Sequence, residues 1–177
     1  MSELTVRILT EDDWEAYRAV RLEALRESPE AFVATHAEES AIEESVWRDR
    51  MNRSVRLVAE QDGRAVGVAS IGRAETSGDD DAGEIFALWV TPERRGTGVA
   101  SALVRRAAAQ ARDAGQRHIV YWVGTENGRA VAFASGMGFR PTDYRRPMRV
   151  VSEEDGEEEI AMVLPLGDDK SSSYPRL

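Results

Sequence analysis

The feature that most limits how this chain can fold lies between residues 88 and 103. There LWVTPERRGTGVASAL runs a short apolar strand through a glycine-bearing turn and directly into a helix. Leu88-Trp89-Val90 is β-prone, and Thr91-Pro92 ends it because proline cannot donate to a ladder. Residues 93–98 turn. From residue 99 to 114 the apolar side chains Val99, Ala100, Leu103, Val104, Ala107, Ala108 and Ala111 recur at helical spacing. Gly96 and Gly98 therefore sit where a helix begins. Amides without helical partners and the positive end of the helix dipole favour an anion there, and the glycines let the main chain approach it with no Cβ in the way. Arg94 and Arg95 add positive charge, so a phosphorylated ligand is expected.

Two common phosphate sites are excluded. A dinucleotide site needs G-x-G-x-x-G, but Gly96-Thr97-Gly98-Val99-Ala100-Ser101 lacks the third glycine, and no acidic residue ends the next strand about 20 residues on. The nucleoside-triphosphate loop G-x-x-x-x-G-K-[ST] occurs nowhere. What remains is Arg95-x-x-Gly98-x-Ala100 preceded by Val90-x-Pro92, and on these residues the chain resembles the Gcn5-related N-acetyltransferase (GNAT) family. A second segment, Asn127-Gly128-Arg129-Ala130-Val131-Ala132-Phe133 followed by Gly138-Phe139, is similar to the family's N-x-x-A-x-x-[FL] stretch and the G-F after it. The resemblance extends from about residue 4 to residue 165.

Several expectations come with it. The fold implied is α/β (α+β): a mixed, mostly antiparallel sheet of about six to seven strands, about four flanking helices, and a splay at the cofactor site. The ligand implied is acetyl-CoA. Arg95, Gly96, Thr97, Gly98, Val99 and Ala100 would hold its diphosphate, and the main chain of Leu88, Trp89 and Val90 would pair with the pantetheine and donate to the thioester carbonyl. Asn127, Ala130 and Phe133 would flank the pantetheine arm. The activity implied is acetyl transfer to a primary amine of a small molecule, an antibiotic or a protein by direct attack. Many family members place a tyrosine after the Asn127 to Phe133 segment to protonate the leaving sulfur, but this chain has Ala134. That departure keeps a second class of function open, a non-catalytic acyl-CoA-binding regulatory or sensor module, and acylation of a hydroxyl also stays open.

Glu84 is the candidate base. It lies upstream on the strand that would hold the thioester, and period-two alternation would put Glu84, Phe86 and Leu88 on one face and Ile85, Ala87 and Trp89 on the other. An apolar site would raise its pKa toward the working range of a base. The competing reading is a strand-end glutamate facing water or paired with an arginine. Asn127 is expected to cap the helix it precedes as well as to lie near the cofactor. His36 and His118 read as surface or satisfied histidines, and Trp89 and Trp122 as packing residues of the sheet.

Composition narrows the classes. With 177 residues the chain can bury a proper core in one domain, assigned to 1–166, and a Ser- and Asp-rich tail at 167–177 reads as disordered. There is no cysteine, hence no disulfide framework and no thiol nucleophile, and two histidines are too few for a usual zinc site, so no metal is expected. No apolar run approaches a membrane span and the start MSELTVRIL has no basic leader followed by a hydrophobic stretch, so a cytoplasmic protein is expected; a homodimer is left open. The net charge of −9 argues against nucleic acid and mildly for a cationic acceptor. The runs Asp79-Asp80-Asp81, 153–159 and Asp168-Asp169, however, read as solvated loop or tail.

Along the chain the expected elements are a strand over 4–9, then a helix opened by a variant capping box from Thr10 to Asp13 that carries Trp14, Tyr17, Ala24 and Leu25 on one face. Arg21 falls in that stripe and is expected to lay its stem on apolar surface and send its guanidinium to water. A less regular helical stretch around Ile42, Val46 and Trp47 lies within 30–53. Two strands over 55–60 and 64–73 are joined by Gln61-Asp62-Gly63. A polar loop over 76–82, a strand beginning near Glu84, a strand over 116–123 and a helix over 127–136 follow. A closing hairpin of 148–151 with 159–164 completes the pattern.

Overall fold

The computed structural model describes residues 3–75, 81–148, 157–167 and 177. In chain order its regular elements are β1 (Thr5–Ile8), α1 (Trp14–Glu27), α2 (His36–Ser40), α3 (Glu44–Arg53), β2 (Val55–Gln61), β3 (Arg64–Arg73) and β4 (Ala82–Val90). α4 (Val99–Asp113), β5 (His118–Gly124), α5 (Gly128–Gly136), β6 (Arg140–Pro147) and β7 (Glu158–Pro165) follow. The strands form one open sheet in the order β1-β2-β3-β4-β5-β7-β6. β4 and β5 run parallel, whereas β1–β2, β2–β3, β5–β7 and β6–β7 are antiparallel. The mixed, mostly antiparallel architecture is the one expected. Among the described residues five α-helices stand where about four were expected, because the stretch around Ile42 breaks into α2 and α3 with Ile42 between them.

The chain divides into two compact units, one of Met1–Gly72 with Ala87–Ala107 and one of Arg73–Phe86 with Ala108–Leu177. In the first, Thr10 N–H donates to Asp13 Oδ2 at 2.8 Å, the reach-back expected of the capping pair, over a short 3-10 turn that leads into α1. α1 buries Tyr17, Val20, Leu22, Ala24 and Leu25. Tyr17, Val20 and Ala24 join Leu9, Trp47, Met51, Val58, Val68 and Trp89 in one cluster. Each large side chain removed from water there contributes about 1.5–3 kcal/mol. The β2–β3 turn has Asp62 at φ 54° and Gly63 at φ 74°, the pair of left-handed residues that a two-residue hairpin with the twist of its strands demands.

Arg21 corrects an expectation. Its guanidinium does not go to water; Nε donates to Glu39 Oε1 at 3.0 Å, Nη2 donates to Glu39 Oε2, and the group lies 4.8 Å from the Phe32 ring centroid. Arg50 Nη1 donates to the same Oε1 at 3.0 Å. Burial alone would push the Glu39 carboxyl up, but the two arginines outweigh it and hold it below the usual carboxylate range. A buried acid on the five-residue α2 needs such partners, and helical spacing within α1 could not announce an acid 18 residues away.

In the second unit β5 is the centre: Ile119, Val120 and Val123 are buried, and the register sets Trp122 opposite Ala161 and Gly124 opposite Glu159. A small apolar cluster of Ala74, Ala82, Val120, Ala161 and Val163 carries Trp122 and Leu177 against it. Tyr121 meets the Phe139 ring edge-on at 6.0 Å. The closing hairpin differs from expectation. Its first strand is β6, Arg140–Pro147, rather than one centred on 148–151, of which 149–151 lie outside the described residues. RPTDYRRP escapes a search for apolar alternation because β6 is an edge strand with mostly exposed side chains, the one place where two prolines fit a ladder. The expectations for most of the 76–82 loop and nearly all of the tail also fall outside the described residues.

Candidate active site

The turn expected to hold the diphosphate lies in the first unit. β4 ends at Val90, a 3-10 turn spans Pro92–Arg94, and residues 95–98 turn into α4. Gly96 has φ 77° and Gly98 φ 95°, conformations in which an L side chain is strained, and a Cβ built on either would meet nothing within 4 Å. The space over both glycines is open. Ala102 N–H donates to Gly98 O at 3.0 Å, the first helical bond, whereas among the described residues the amides of Gly96, Gly98, Val99, Ala100 and Ser101 find no main-chain acceptor. These amides, added to the dipole of a 15-residue helix, make a concentration of positive partial charge.

Side chains anchor the turn from below. Val99, Leu103, Val104 and Ala107 are buried, as their spacing predicts. Gly67 of β3 lets α4 come close: a Cβ there would lie 2.9 Å from Val99 Cγ1, 3.1 Å from Leu103 Cδ1 and 3.1 Å from Trp89 O. A glycine inside a strand marks a close backbone approach, and that mark is present in the sequence.

Arg94 and Arg95 are less free than the sequence suggests. Arg94 donates to Gln61 Oε1 at 2.9 Å and to Asp62 Oδ2 at 3.2 Å. Arg95 Nε donates to Val90 O at 3.0 Å, and its Nη2 donates to Glu27 Oε2 at 2.9 Å. Glu27, at the end of α1, is a residue the sequence did not single out. The same oxygen accepts Trp89 Nε1–H at 2.8 Å and the Ser28 hydroxyl. These donors, Ser28 first and then Trp89, hold its carboxyl below the usual range against a modest burial effect. Trp89 thus packs, as expected, and also ties α1 to the end of β4.

Glu84 lies in the second unit. The parallel β4–β5 ladder pairs Ala82 with His118, Gly83 with Ile119, Glu84 with Val120 and Ile85 with Tyr121, and ends there. Two residues later Ala87 takes φ 53°, at a cost on the order of 1 kcal/mol for a residue with a Cβ. The simple alternation expected over residues 84–89 is therefore broken at Ala87. Glu84 is half-buried, and its Oε1 accepts the Trp122 indole N–H at 3.0 Å. It is neither a water-facing strand end nor set in a purely apolar site. Asn127 caps α5, its Oδ1 accepting Ala130 N–H at 3.1 Å, while Ala130 and Phe133 are half-buried. Ala134 is fully buried. Burial, with a smaller contribution from Glu159, pushes the Tyr121 phenol up, so it stays protonated at neutral pH. His118 is buried at the start of β5.

A comparison with known proteins decides the family. The acetyltransferase (GNAT) family profile matches residues 10–139. The chain belongs to the GNAT acetyltransferase family. It is 31% identical over 136 residues to the mycothiol acetyltransferase of Cellulomonas flavigena, covering 73% of this chain and 38% of that protein. To an uncharacterised N-acetyltransferase of Methanocaldococcus jannaschii it is 30% identical over 52% of this chain and 42% of that protein. The chain thus spans about two fifths of the length of these curated relatives. Among solved structures it shares its fold with the yncA protein of Salmonella typhimurium, solved with its cofactor acetyl-CoA (TM-score 0.70, 20% identity, 96% and 98% of the two chains). The same holds for the ribosomal-protein-S18-alanine N-acetyltransferase of Escherichia coli (TM-score 0.67, 18% identity, 97% and 99%). Among the described residues no helix is long and apolar enough to cross a membrane, and no group of His, Cys, Asp or Glu could hold a metal ion.

Proposed function

We propose that this GNAT chain is an acetyl-CoA-dependent N-acetyltransferase that moves an acetyl group to a primary amine of a small molecule, an antibiotic or a protein by direct attack. The turn at residues 95–98 carries the reading. It pairs left-handed glycines under open space with amides that have no main-chain acceptor, which is what a diphosphate needs from a protein. In this reading Arg95, Gly96, Thr97, Gly98, Val99 and Ala100 hold the diphosphate, and Leu88, Trp89 and Val90 offer main chain to the pantetheine and an amide to the thioester carbonyl. Asn127, Ala130 and Phe133 flank the arm. The names of the similar proteins support acceptors of more than one kind: one is a mycothiol acetyltransferase, another a ribosomal-protein-S18-alanine N-acetyltransferase. A cytoplasmic setting goes with the reading, and a homodimer is compatible with it.

Acetyl-CoA supplies an activated acetyl group and a sulfur leaving group. Glu84 takes up the proton that the acceptor ammonium must lose before its lone pair can form the C–N bond. The C–S bond breaks in exchange, and the sulfur leaves as a thiolate that takes a proton from water. An amide aimed at the carbonyl oxygen stabilises the charge that develops there.

The test is a thiol-release assay across a panel of amines, with acetyl-CoA affinity measured by calorimetry. Thiol formed only when an amine is present supports the transferase. One observation favours the second reading, an acyl-CoA-binding module that regulates or senses: Ala134 is buried and offers no phenol where the family has its acid. Loss of one general acid typically costs 10²–10⁴-fold in rate, so it slows turnover without forbidding it. Tight acetyl-CoA binding with no thiol from any acceptor would decide for the module.

A further inference from the structure

The register of the second unit places four polar or aromatic side chains on one face of four neighbouring strands. Glu84 of β4 is level with Val120 of β5, and Trp122 follows Val120 on the same face. Trp122 is opposite Ala161 of β7, Glu159 lies two residues from Ala161, and Arg146 of β6 is opposite Glu159. Side-chain contacts join them in the order Glu84, Trp122, Arg146, Glu159. Glu159 Oε2 accepts Arg146 Nε–H at 2.8 Å, the Arg146 guanidinium lies 4.2 Å from the Trp122 ring centroid, and the Trp122 indole donates to Glu84 at 3.0 Å.

We propose that Trp122 and Arg146 are positioning residues for Glu84, holding its carboxylate in one orientation for the proton abstraction proposed above. The proposal rests on that reading of Glu84. An indole has a single N–H and no acceptor, so it can serve one oxygen and only as a donor. The ring itself is held: Trp122 packs against the cluster of Ala74, Ala82, Val120, Ala161 and Val163, and Arg146 lies over it. Arg146 is fixed in turn by Glu159, whose side chain is only 15% exposed. A cation over the ring draws on its electron density and strengthens the N–H as a donor. A base without such a holder would sample rotamers and accept protons from water in several of them.

Other ionisable groups border this face. By register His118 of β5 and Arg140 of β6 share it, Asp81 precedes β4 and is 3.8 Å from Arg73, and Arg129 lies on α5, which packs against β5. None of them stands between the Trp122 indole and Glu84, which are in direct contact.

The experiment has two readouts on the full chain. In the first, the indole N–H proton resonances are followed against pH by NMR in the wild type and in Glu84→Gln. The Trp122 resonance, assigned by its loss in Trp122→Phe, titrates in the wild type and is flat in Glu84→Gln. In the second, pH–rate profiles are recorded at saturating acetyl-CoA. Trp122→Phe moves the acid limb up by about one pH unit and Arg146→Gln by about half as much, with KM for acetyl-CoA unchanged in both. The Arg146 variant keeps every core side chain and so remains informative should Trp122→Phe fold poorly. If Glu84→Gln keeps the acid limb, the base is elsewhere and the reading of Glu84 fails. If Glu84→Gln loses the limb, yet neither variant moves it and the indole resonance is flat in the wild type, Glu84 stands and the positioning chain is overturned.

Discussion

As proposed binding and catalytic sites, the turn at residues 95–98 and the surroundings of Glu84 would prepare chemistry in opposite ways. At the turn the working groups are main-chain amides; what matters about the side chains is their absence at Gly96 and Gly98 and their bulk beneath, at Val99 and Leu103. Around Glu84 the proposed working group is a carboxylate, and its setting is built from the side chains of Trp122, Arg146 and Glu159, each on a different strand. The first arrangement is fixed by backbone conformation, so a change of side chain acts on it by intrusion. The second is fixed by contact, so a change acts on it by omission. Binding should therefore be fragile at one place and rate at the other.

The sharpest test is Glu84→Gln. The expected result is a fall in kcat of about 10²–10⁴-fold with acetyl-CoA affinity by calorimetry unchanged, and a variant that binds poorly instead would erase the division. Next comes Gly98→Asp. A side chain at φ 95° and a negative charge beside unpartnered amides should weaken coenzyme A binding by about 100-fold or more, read by calorimetry, with the fold retained by circular dichroism. Gly67→Ala asks whether the turn depends on the packing beneath it. Its Cβ would press on Val99, Leu103 and the Trp89 carbonyl, costing about 1–3 kcal/mol in denaturant unfolding and raising KM for acetyl-CoA.

The smallest effect is expected at Glu27. Its carboxyl titrates below its ordinary value in the folded chain, so its contribution is present above the unfolded pKa and is lost as pH falls through the folded one. The melting temperature of the wild type should therefore exceed that of Glu27→Gln by a constant margin above about pH 5, and the margin should close on further acidification. A margin independent of pH would mean that the charge on Glu27 is idle.

How far each region could be read before folding follows from the same division. Strand, proline stop, glycine turn and helical spacing are consecutive in residues 88–111, so the turn and the buried face of α4 were legible, as were the Asp62-Gly63 hairpin and the Asn127 cap. Glu27 supports the turn from 68 residues before Arg95 and carries no local mark of doing so, while Gly67, 31 residues before Gly98, marks a close approach without naming what approaches. The link from Arg146 through Trp122 to Glu84 depends on strand order, and β5 pairs with β7 before β6, an exchange that no alternation pattern encodes. Arg21 was misjudged for a similar reason, its partner Glu39 lying on a separate short helix. The left-handed Ala87 had no glycine to announce it.

One consequence of β6 concerns the company this chain keeps. An open sheet ends in unsatisfied N–H and C=O groups that invite a foreign strand, and such invitations lead to fibres as readily as to dimers. Pro141 and Pro147 remove donors from that border, while Arg145 and Arg146 load it with charge. A copy of this chain arriving there finds a poor template, so growth by strand addition is discouraged at β6.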